Sequence, residues 1–366
     1  MMYKLPLEAY TSESWFKNEQ EKIFSNTWQF VGFIEDFKET GDHKCVNFGD
    51  LHLMVVLGED KKLSALHTAC CHRGNRLKEV QGNKIICPYH RWAYDLKGQL
   101  IAAPESRELH EFNKEDIHLV RGSVVRWKTL VFAHPKEDAP DFYEHVSELE
   151  NFMGPHKPEL LEEYHDENNV YLAHCNWKLF CENYMDGYHL PYLHSETLYM
   201  YDHSKQVSRY AGDHWAFYEP LTKDYENNIG KYGYEAIDHI PKEKLGAYVH
   251  LLFPNLGITE SESTWTVLQI LPLEVNKTLL IFRSKVMPSY KNKSWFKKKE
   301  KKPIEVSDFN EPLKSYDFMI EDMYVCEQIQ KNMENKTFTT GPLHETKEAS
   351  FEGFHDVILQ YMNHAR

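Results

Sequence analysis

An α+β chain of two domains is the expectation, and three observations lead to it. The first third reads as short strands divided by turn signals, with two Cys/His pairs at strand ends. Three long segments rich in β-branched and aromatic residues follow: Tyr248–Thr259, Ser263–Pro272 and Thr278–Met287. Short polar gaps between them fit an antiparallel sheet. A long helical pattern runs from about Asn310 to Asn335 and stops before Gly341-Pro342.

In chain order, a helix is expected around Ser12 to Trp28, capped by Ser12 or Ser14, with Trp15, Phe16, Ile23, Phe24 and Trp28 as its apolar positions. After Gly41-Asp42, residues 44–57 read as strands, and His52–Leu57 is the clearest run. A turn at Gly58-Glu59-Asp60 leads to a strand at Leu63–His67 that runs into Cys70, and Lys84-Ile85-Ile86 leads into Cys87. Another strand fits Val124–His134. The loose, charged stretch from Pro135 to about Glu167 carries Pro135, Pro140, Pro155 and Pro158 and reads as the domain boundary. A helix is expected from Asn176 to about Leu190, ended or kinked by Pro191, whose ring clashes with the carbonyl four residues back. The basic run Lys291–Lys302 reads as a solvated loop.

The 366 residues carry a net charge of −14, which argues against a nucleic-acid binder, since phosphate neutralisation needs a basic face. The start turns polar within twenty residues, so no signal peptide is expected, and no apolar run is long enough for a membrane span. Seven scattered cysteines argue for a reducing, cytoplasmic compartment rather than a disulfide framework. Cys175, Cys181 and Cys326 are expected as small buried hydrophobes.

Chemistry concentrates first in Cys70-x-His72 and, after fourteen residues, Cys87-x-x-His90. Each pair falls at the tip between two short strands, so two loops can clamp one group from opposite sides. Two thiolates and two imidazoles bind zinc, and the same set binds a [2Fe–2S] cluster of the Rieske kind. Spacing alone leaves both open.

The second constellation runs N-W-K-L-F-C-E-N-Y-M-D-G-Y-H-L-P-Y-L-H from Asn176. Asp186 and His189, three apart, share a face if helical, and Pro191 lets the chain bend His194 back toward them. Two His and a carboxylate form the facial triad of non-haem Fe(II) oxygenases. The carboxylate is Asp186 or a residue of the late helix. Asp322 has Phe318, Met319, Val325 and Cys326 one turn away, and a carboxylate on such a stripe is costly unless paired or metal-bound. Glu321, with Asp317 and Gln328 among its neighbours, has the wetter face.

Taken together, C-x-H-R-G, C-P-Y-H-x-W, N-W-K…E-N-Y-x-D-G-Y-H-x-P-x-x-H, the F-P-N-L run at Phe253–Leu256 and E-D-x-x-x-C-E resemble the oxygenase component (α subunit) of Rieske non-haem iron oxygenases. The resemblance covers most of the chain and is nearest to choline monooxygenase-like and ring-hydroxylating members. It implies an all-β Rieske [2Fe–2S] domain at 40–140 and a helix-grip catalytic domain at 141–366, its antiparallel sheet wrapped on a long helix. Residues 1–39 would be a helical segment packing on the catalytic domain. Cys70 and Cys87 would hold one iron of the cluster, and His72 and His90 the other. His189, His194 and Asp322 would hold one mononuclear Fe(II). Asp186 would link a cluster histidine of one subunit to His189 of its neighbour in a ring-shaped homotrimer. Accepting a bond from the non-ligating N–H of His189 suits that place. Asn183 either orients this link or caps local backbone. The His72–Cys87 gap is about two residues shorter than the family's usual, and Cys71 should point away from the cluster.

The implied activity is that of a terminal oxygenase. A separate reductase, with or without a ferredoxin, would bring electrons from NAD(P)H, since the chain has no dinucleotide fingerprint. O2 and a small organic substrate would meet at the mononuclear iron, giving hydroxylation or demethylation, with aromatic-ring dihydroxylation as the alternative. A zinc-binding structural or regulatory protein is the reading from another class. Tyr199, Tyr201, Trp215, Phe217 and Tyr218 are either an aromatic cage for a quaternary ammonium group or plain core lining.

Overall fold

The strand Leu51–Leu57 has both faces covered, because alternate side chains enter two different cores. Leu53, Val55 and Leu57 pack with Val31, Phe37, Phe48 and Val131, while Met54 and Val56 join the core that holds Cys70, Cys87, Trp92 and Tyr94. Each such aliphatic side chain contributes about 1.5–3 kcal/mol by leaving water. One strand therefore ties the main sheet of this unit to the loops that carry the Cys/His pairs.

The computed structural model describes residues 3–106, 112–166, 168–229, 235–290, 302–335 and 337–363. The chain divides into one unit of residues 17–142 and another of residues 1–16 with 143–366. The first holds a six-stranded antiparallel sheet in the spatial order Gln29–Phe33, Leu130–His134, Arg121–Trp127, Leu63–His67, Leu51–Leu57 and His43–Phe48. A smaller sheet comprises Val80–Gln81, Lys84–Ile86, Ala93–Tyr94 and Leu100–Ala102.

The expected division after residue 39 is not where the chain divides. Gln29–Phe33 is a wholly buried strand paired with Leu130–His134, so these residues belong to the first sheet and not to a helical segment on the other domain. The expected Val124–His134 strand is likewise a hairpin, turning at Lys128 with φ +54°. A helix, Phe142–Glu150, lies inside the stretch read as loose linker.

The second unit is built on an eight-stranded antiparallel sheet. From one edge it runs Glu162–Glu163, Lys277–Val286, Trp265–Glu274, Leu256–Glu260, Gly246–Leu252, His214–Pro220 and Val207–Ala211, and Asn169–Ala173 also pairs with Lys277–Val286. The expected strand Tyr248–Thr259 is two strands that reverse at Phe253-Pro254-Asn255. Register puts Trp215, Leu251, Gly257, Leu268 and Phe282 in one row on one face. Tyr184, from the helix Trp177–Met185, covers that face: its hydroxyl is 2.9 Å from Thr259 Oγ1, and a Cβ at Gly257 would collide with its ring. Phe318, opening the helix Phe318–Met333, packs on Phe282 of the same row with ring centres 6.4 Å apart.

Two helix limits differ from expectation. Trp177–Met185 stops at Asp186, whose backbone is extended, and Pro191 instead sits in the first turn of a separate short helix, Leu190–Leu193. The late helix begins only at Phe318, where the Asp317 side chain accepts from Met319 N at 2.9 Å. A further helix, Ala349–Asn363, closes the described chain. The basic run Lys291–Lys302 lies outside the described residues apart from Lys302. No helix among the described residues is long and apolar enough to cross a membrane.

Candidate functional site

Each Cys/His pair sits on a tight backbone loop. Gly74 N donates to Cys70 O (2.8 Å) in the first and Arg91 N to Cys87 O (3.0 Å) in the second. The thiols of Cys70 and Cys87 are buried, His72 is exposed and His90 half-buried. The His72 and His90 rings lie 4.6 Å apart, and His72 stacks on Trp92 at 4.8 Å. Burial pushes the Cys70 thiol up, Tyr94 opposes this, and neighbouring Cys87 adds to it. Tyr94 OH accepts from Cys71 N (3.0 Å) and lies 3.2 Å from Cys70 Sγ, where it can donate to a deprotonated thiolate. Cys71 turns away, its thiol 3.2 Å from His118 O.

This donor set fits a [2Fe–2S] group. Two soft sulfurs lie at the buried end and two imidazoles nearer the surface, and His90 Nδ1 is a buried ring nitrogen without a hydrogen-bond partner among the described residues. A nitrogen left bare there is one that a metal can take.

The second centre gathers His189, His194 and Asp322, whose ligand atoms all lie within 4.8 Å of one another. Asp322 Oδ1 is 2.9 Å from His194 Nε2 and 3.6 Å from His189 Nε2. On the far side of each ring stands another carboxylate. Asp186 Oδ2 is 3.0 Å from His189 Nδ1, off the line of a hydrogen bond, and Glu321 Oε2 is 2.8 Å from His194 Nδ1. Carboxylates behind Nδ1 favour a proton there and leave both Nε2 lone pairs for a metal. Burial alone would lower the pKa of His194, but Asp322 and then Glu321 outweigh it and raise it. Two imidazoles and a carboxylate converging on one point suit a non-haem ferrous ion.

Asp186 and His189 meet although no helix joins them. Asp186 caps the end of one helix and His189 begins the next, with Tyr188 N held by Asp186 Oδ1 at 2.5 Å. Asn183 O accepts from Asp186 N (3.1 Å), while its Nδ2 is buried without a hydrogen-bond partner among the described residues.

Glu321 is the residue that sequence reasoning misplaced. It is only 3% exposed, and Thr197 Oγ1 donates to the same oxygen that faces His194 (2.9 Å). The signal available was its place beside Asp322, since neighbouring helical residues can flank one ring from two sides. The five aromatics named as a cage do not form one. Trp215 and Phe217 stack at 5.5 Å on the helix-covered face, and Tyr218 lies on the opposite face against Tyr248. Tyr199 is exposed, and Tyr201 donates instead to the buried Glu262. Cys175, Cys181 and Cys326 are free and buried.

Comparison with known proteins places the two halves of the chain in one family. The family model for the Rieske [2Fe-2S] domain matches residues 27–113, and that for the ring hydroxylating alpha subunit (catalytic domain) matches residues 161–364. Chloroplastic choline monooxygenase of Arabidopsis thaliana is 27% identical over 360 residues, covering 92% of this chain and 80% of the relative. The glycine betaine monooxygenase oxygenase subunit of Chromohalobacter salexigens is 30% identical over 199 residues, 54% of this chain and 44% of the relative. A solved quaternary ammonium Rieske monooxygenase, CntA, superposes with a TM-score of 0.78 at 20% identity over 99% of this chain and 95% of its own, a likeness of fold. The cofactors are accordingly one Rieske [2Fe–2S] cluster and one mononuclear iron. With its catalytic model spanning more than half of the sequence, the chain belongs to the ring-hydroxylating alpha-subunit family of Rieske non-haem iron oxygenases.

Proposed function

We propose that this chain is a terminal oxygenase that takes electrons from a separate NAD(P)H-dependent reductase, directly or through a ferredoxin, and uses O2 to hydroxylate or demethylate a small organic substrate. The observation that carries this reading is the joint presence of a Cys₂His₂ clamp and a His₂–carboxylate triangle in a chain with no dinucleotide fingerprint. Monooxygenation is favoured over ring dihydroxylation because choline monooxygenase aligns along 92% of the chain, whereas biphenyl 2,3-dioxygenase subunit alpha of Rhodococcus jostii aligns along 51%.

Cys70, Cys87, His72 and His90 would hold the cluster, and His189, His194 and Asp322 the mononuclear iron. When bound, the cluster supplies electrons one at a time and the iron an open face for O2. The protein's own part is positional. Glu321 holds a proton on the outer nitrogen of His194 by a hydrogen bond, and the Asp186 carboxylate beside His189 Nδ1 favours one there by its charge, so that both rings turn Nε2 inward. Phe318, 6.5 Å from His194 between ring centres, and Phe282 beyond it make an apolar wall beside the triangle that disfavours water. Asp186 is assigned the link between subunits of a homotrimer, joining His90 of one copy to His189 of the next. Its supports are its place behind His189 and the inter-subunit electron transfer described for CntA. Asn183 is assigned to holding the turn that presents Asp186.

The test is purification followed by a visible spectrum, metal analysis, and NAD(P)H- and O2-consumption assays with a surrogate reductase. Quaternary amines, methoxylated aromatics and simple arenes form the substrate set. Red-brown protein with substrate-dependent O2 uptake and a single inserted oxygen is the expected result. A colourless protein containing zinc and no iron would sink the reading, and a diol product would move it to ring dihydroxylation.

A further inference from the structure

The two loops that carry the Cys/His pairs close with the same backbone hydrogen bond, from the residue four after the cysteine to the cysteine carbonyl. In both loops the donor residue has a left-handed backbone, at φ +72° for Gly74 and φ +61° for Arg91. Glycine is the residue such a position favours, because an L side chain there crowds its own backbone. The first loop has it and the second has arginine. Lys61, Glu105, Lys128 and Tyr316 are the other non-glycine residues with positive φ among those described, and none of them adjoins a residue of either centre.

Nothing among the described residues accounts for that choice. Arg91 is exposed, and its guanidinium makes no hydrogen bond, ion pair or ring contact among the described residues. Arg73, on the companion loop, is engaged: it donates to Tyr89 OH (3.3 Å) and lies over the Tyr89 ring at 5.7 Å. An unpartnered cation kept at a disfavoured backbone position, next to the surface histidine, indicates a partner outside the chain.

We propose that Arg91 is an interface residue that seats the His90 loop on a carboxylate-bearing surface of a second copy of this chain. The inference rests on the inter-subunit route proposed above. Charge favours a second copy, since the chain has 56 acidic residues against 42 basic ones and so presents an acidic surface to a local cation. Exposed aromatic side chains lie at both proposed contact points. Tyr89 (56% exposed) adjoins His90, while Tyr188 (44%) and Tyr192 (74%) flank His189. Beside Tyr188 packs His344, at 4.9 Å between rings, and the next residue, Glu345, is an exposed carboxylate with no ion pair among the described residues. Exposed tyrosines with charges at their rim are what a protein contact uses as anchors.

The test uses holoprotein as wild type, Arg91→Gly and Arg91→Glu. Assembly is followed by sedimentation velocity at low and high NaCl, and cluster reduction by stopped flow with a surrogate NADH-dependent reductase. Arg91→Gly places the favoured residue in the turn, so its cluster spectrum should be unchanged and its Tm equal or higher. Its assembly should nevertheless weaken roughly tenfold and lose salt dependence, and Arg91→Glu should weaken it further. Reduction by the reductase should stay within about twofold of wild type. Arg91→Gly protein that assembles like wild type overturns the proposal, and slower reduction with unchanged assembly assigns Arg91 to the electron donor instead. Wild-type protein that is monomeric at every salt concentration removes the inter-subunit route itself, a failure visible before any variant is compared.

Discussion

Glu321 Oε2 lies 2.8 Å from His194 Nδ1, on the side of the ring away from Asp322. Two consecutive residues of one helix therefore address the two nitrogens of one imidazole. Glu321→Ala removes the acceptor that keeps the proton on Nδ1, and frees the ring to turn or change tautomer. Iron affinity of the mononuclear site should fall about 10- to 100-fold. The red-brown spectrum should persist, because the Cys/His loops are untouched. Glu321→Gln retains an oxygen acceptor and should lie between the two. Iron counted after dialysis against a graded chelator measures this, and wild-type retention by Glu321→Ala would refute the role.

Asp186 stands behind His189 as Glu321 stands behind His194, but nearer the surface. Asp186→Asn preserves size and removes the charge. Both metals should stay bound, while kcat falls by about two orders of magnitude or more, the scale of losing a positioned carboxylate–imidazole contact. Metal content and coupled O2 uptake, measured on one preparation, separate the effects. Normal coupled activity would exclude Asp186 from the electron route.

The Cys/His pairs were legible in the sequence because everything that places them is local: a strand, a ligand loop and a returning strand within about 25 residues. His189 and His194 were legible for the same reason. Asp322 was reached over a long separation, through the cost of a carboxylate on an apolar helix stripe. That argument failed for Glu321, whose burial comes from His194 and Thr197 folding against it and not from its own helix. The helix ends at Asp186 and not near Pro191, because Gly187 is a nearer stop signal than the proline. A Cβ at Gly187 would meet the Gln206 side-chain amide, which donates to Gly187 O and would have to shift. The aromatic cage failed on strand alternation, which sends Tyr218 to the face opposite Phe217.

Tyr94 OH lies 3.2 Å from Cys70 Sγ, and against a metal-bound thiolate, which has no proton of its own, the hydroxyl is the donor. A hydrogen bond to a cluster sulfur favours the reduced, more negative state. Tyr94→Phe should therefore lower the cluster midpoint potential by on the order of 50 mV, equivalent to about 1 kcal/mol for one electron. The cluster spectrum should be retained. Spectroelectrochemical titration reads the shift, and an unchanged or higher midpoint would show that the hydroxyl proton points elsewhere.

His214 shows how pH should act on the catalytic unit. Its ring is fully buried, Nδ1 accepts from Phe253 N (3.1 Å), and Nε2 faces His145 O (3.0 Å), so the neutral ring with its proton on Nε2 satisfies both bonds. Burial first, and the neighbouring His145 second, push its pKa down from 6.5 to about 3. Between those values the unfolded chain binds a proton that the folded chain refuses. Stability is therefore fully present above pH 6.5 and declines as pH falls, by up to about 1.4 kcal/mol per pH unit for this one group. His214→Gln can keep both hydrogen bonds without titrating. It should cost about 1–3 kcal/mol at pH 7 through imperfect packing, yet its stability should fall less steeply than wild type between pH 6.5 and 5. Urea unfolding at closely spaced pH values gives both slopes, and equal slopes would mean that His214 does not titrate differently in the folded and unfolded chain.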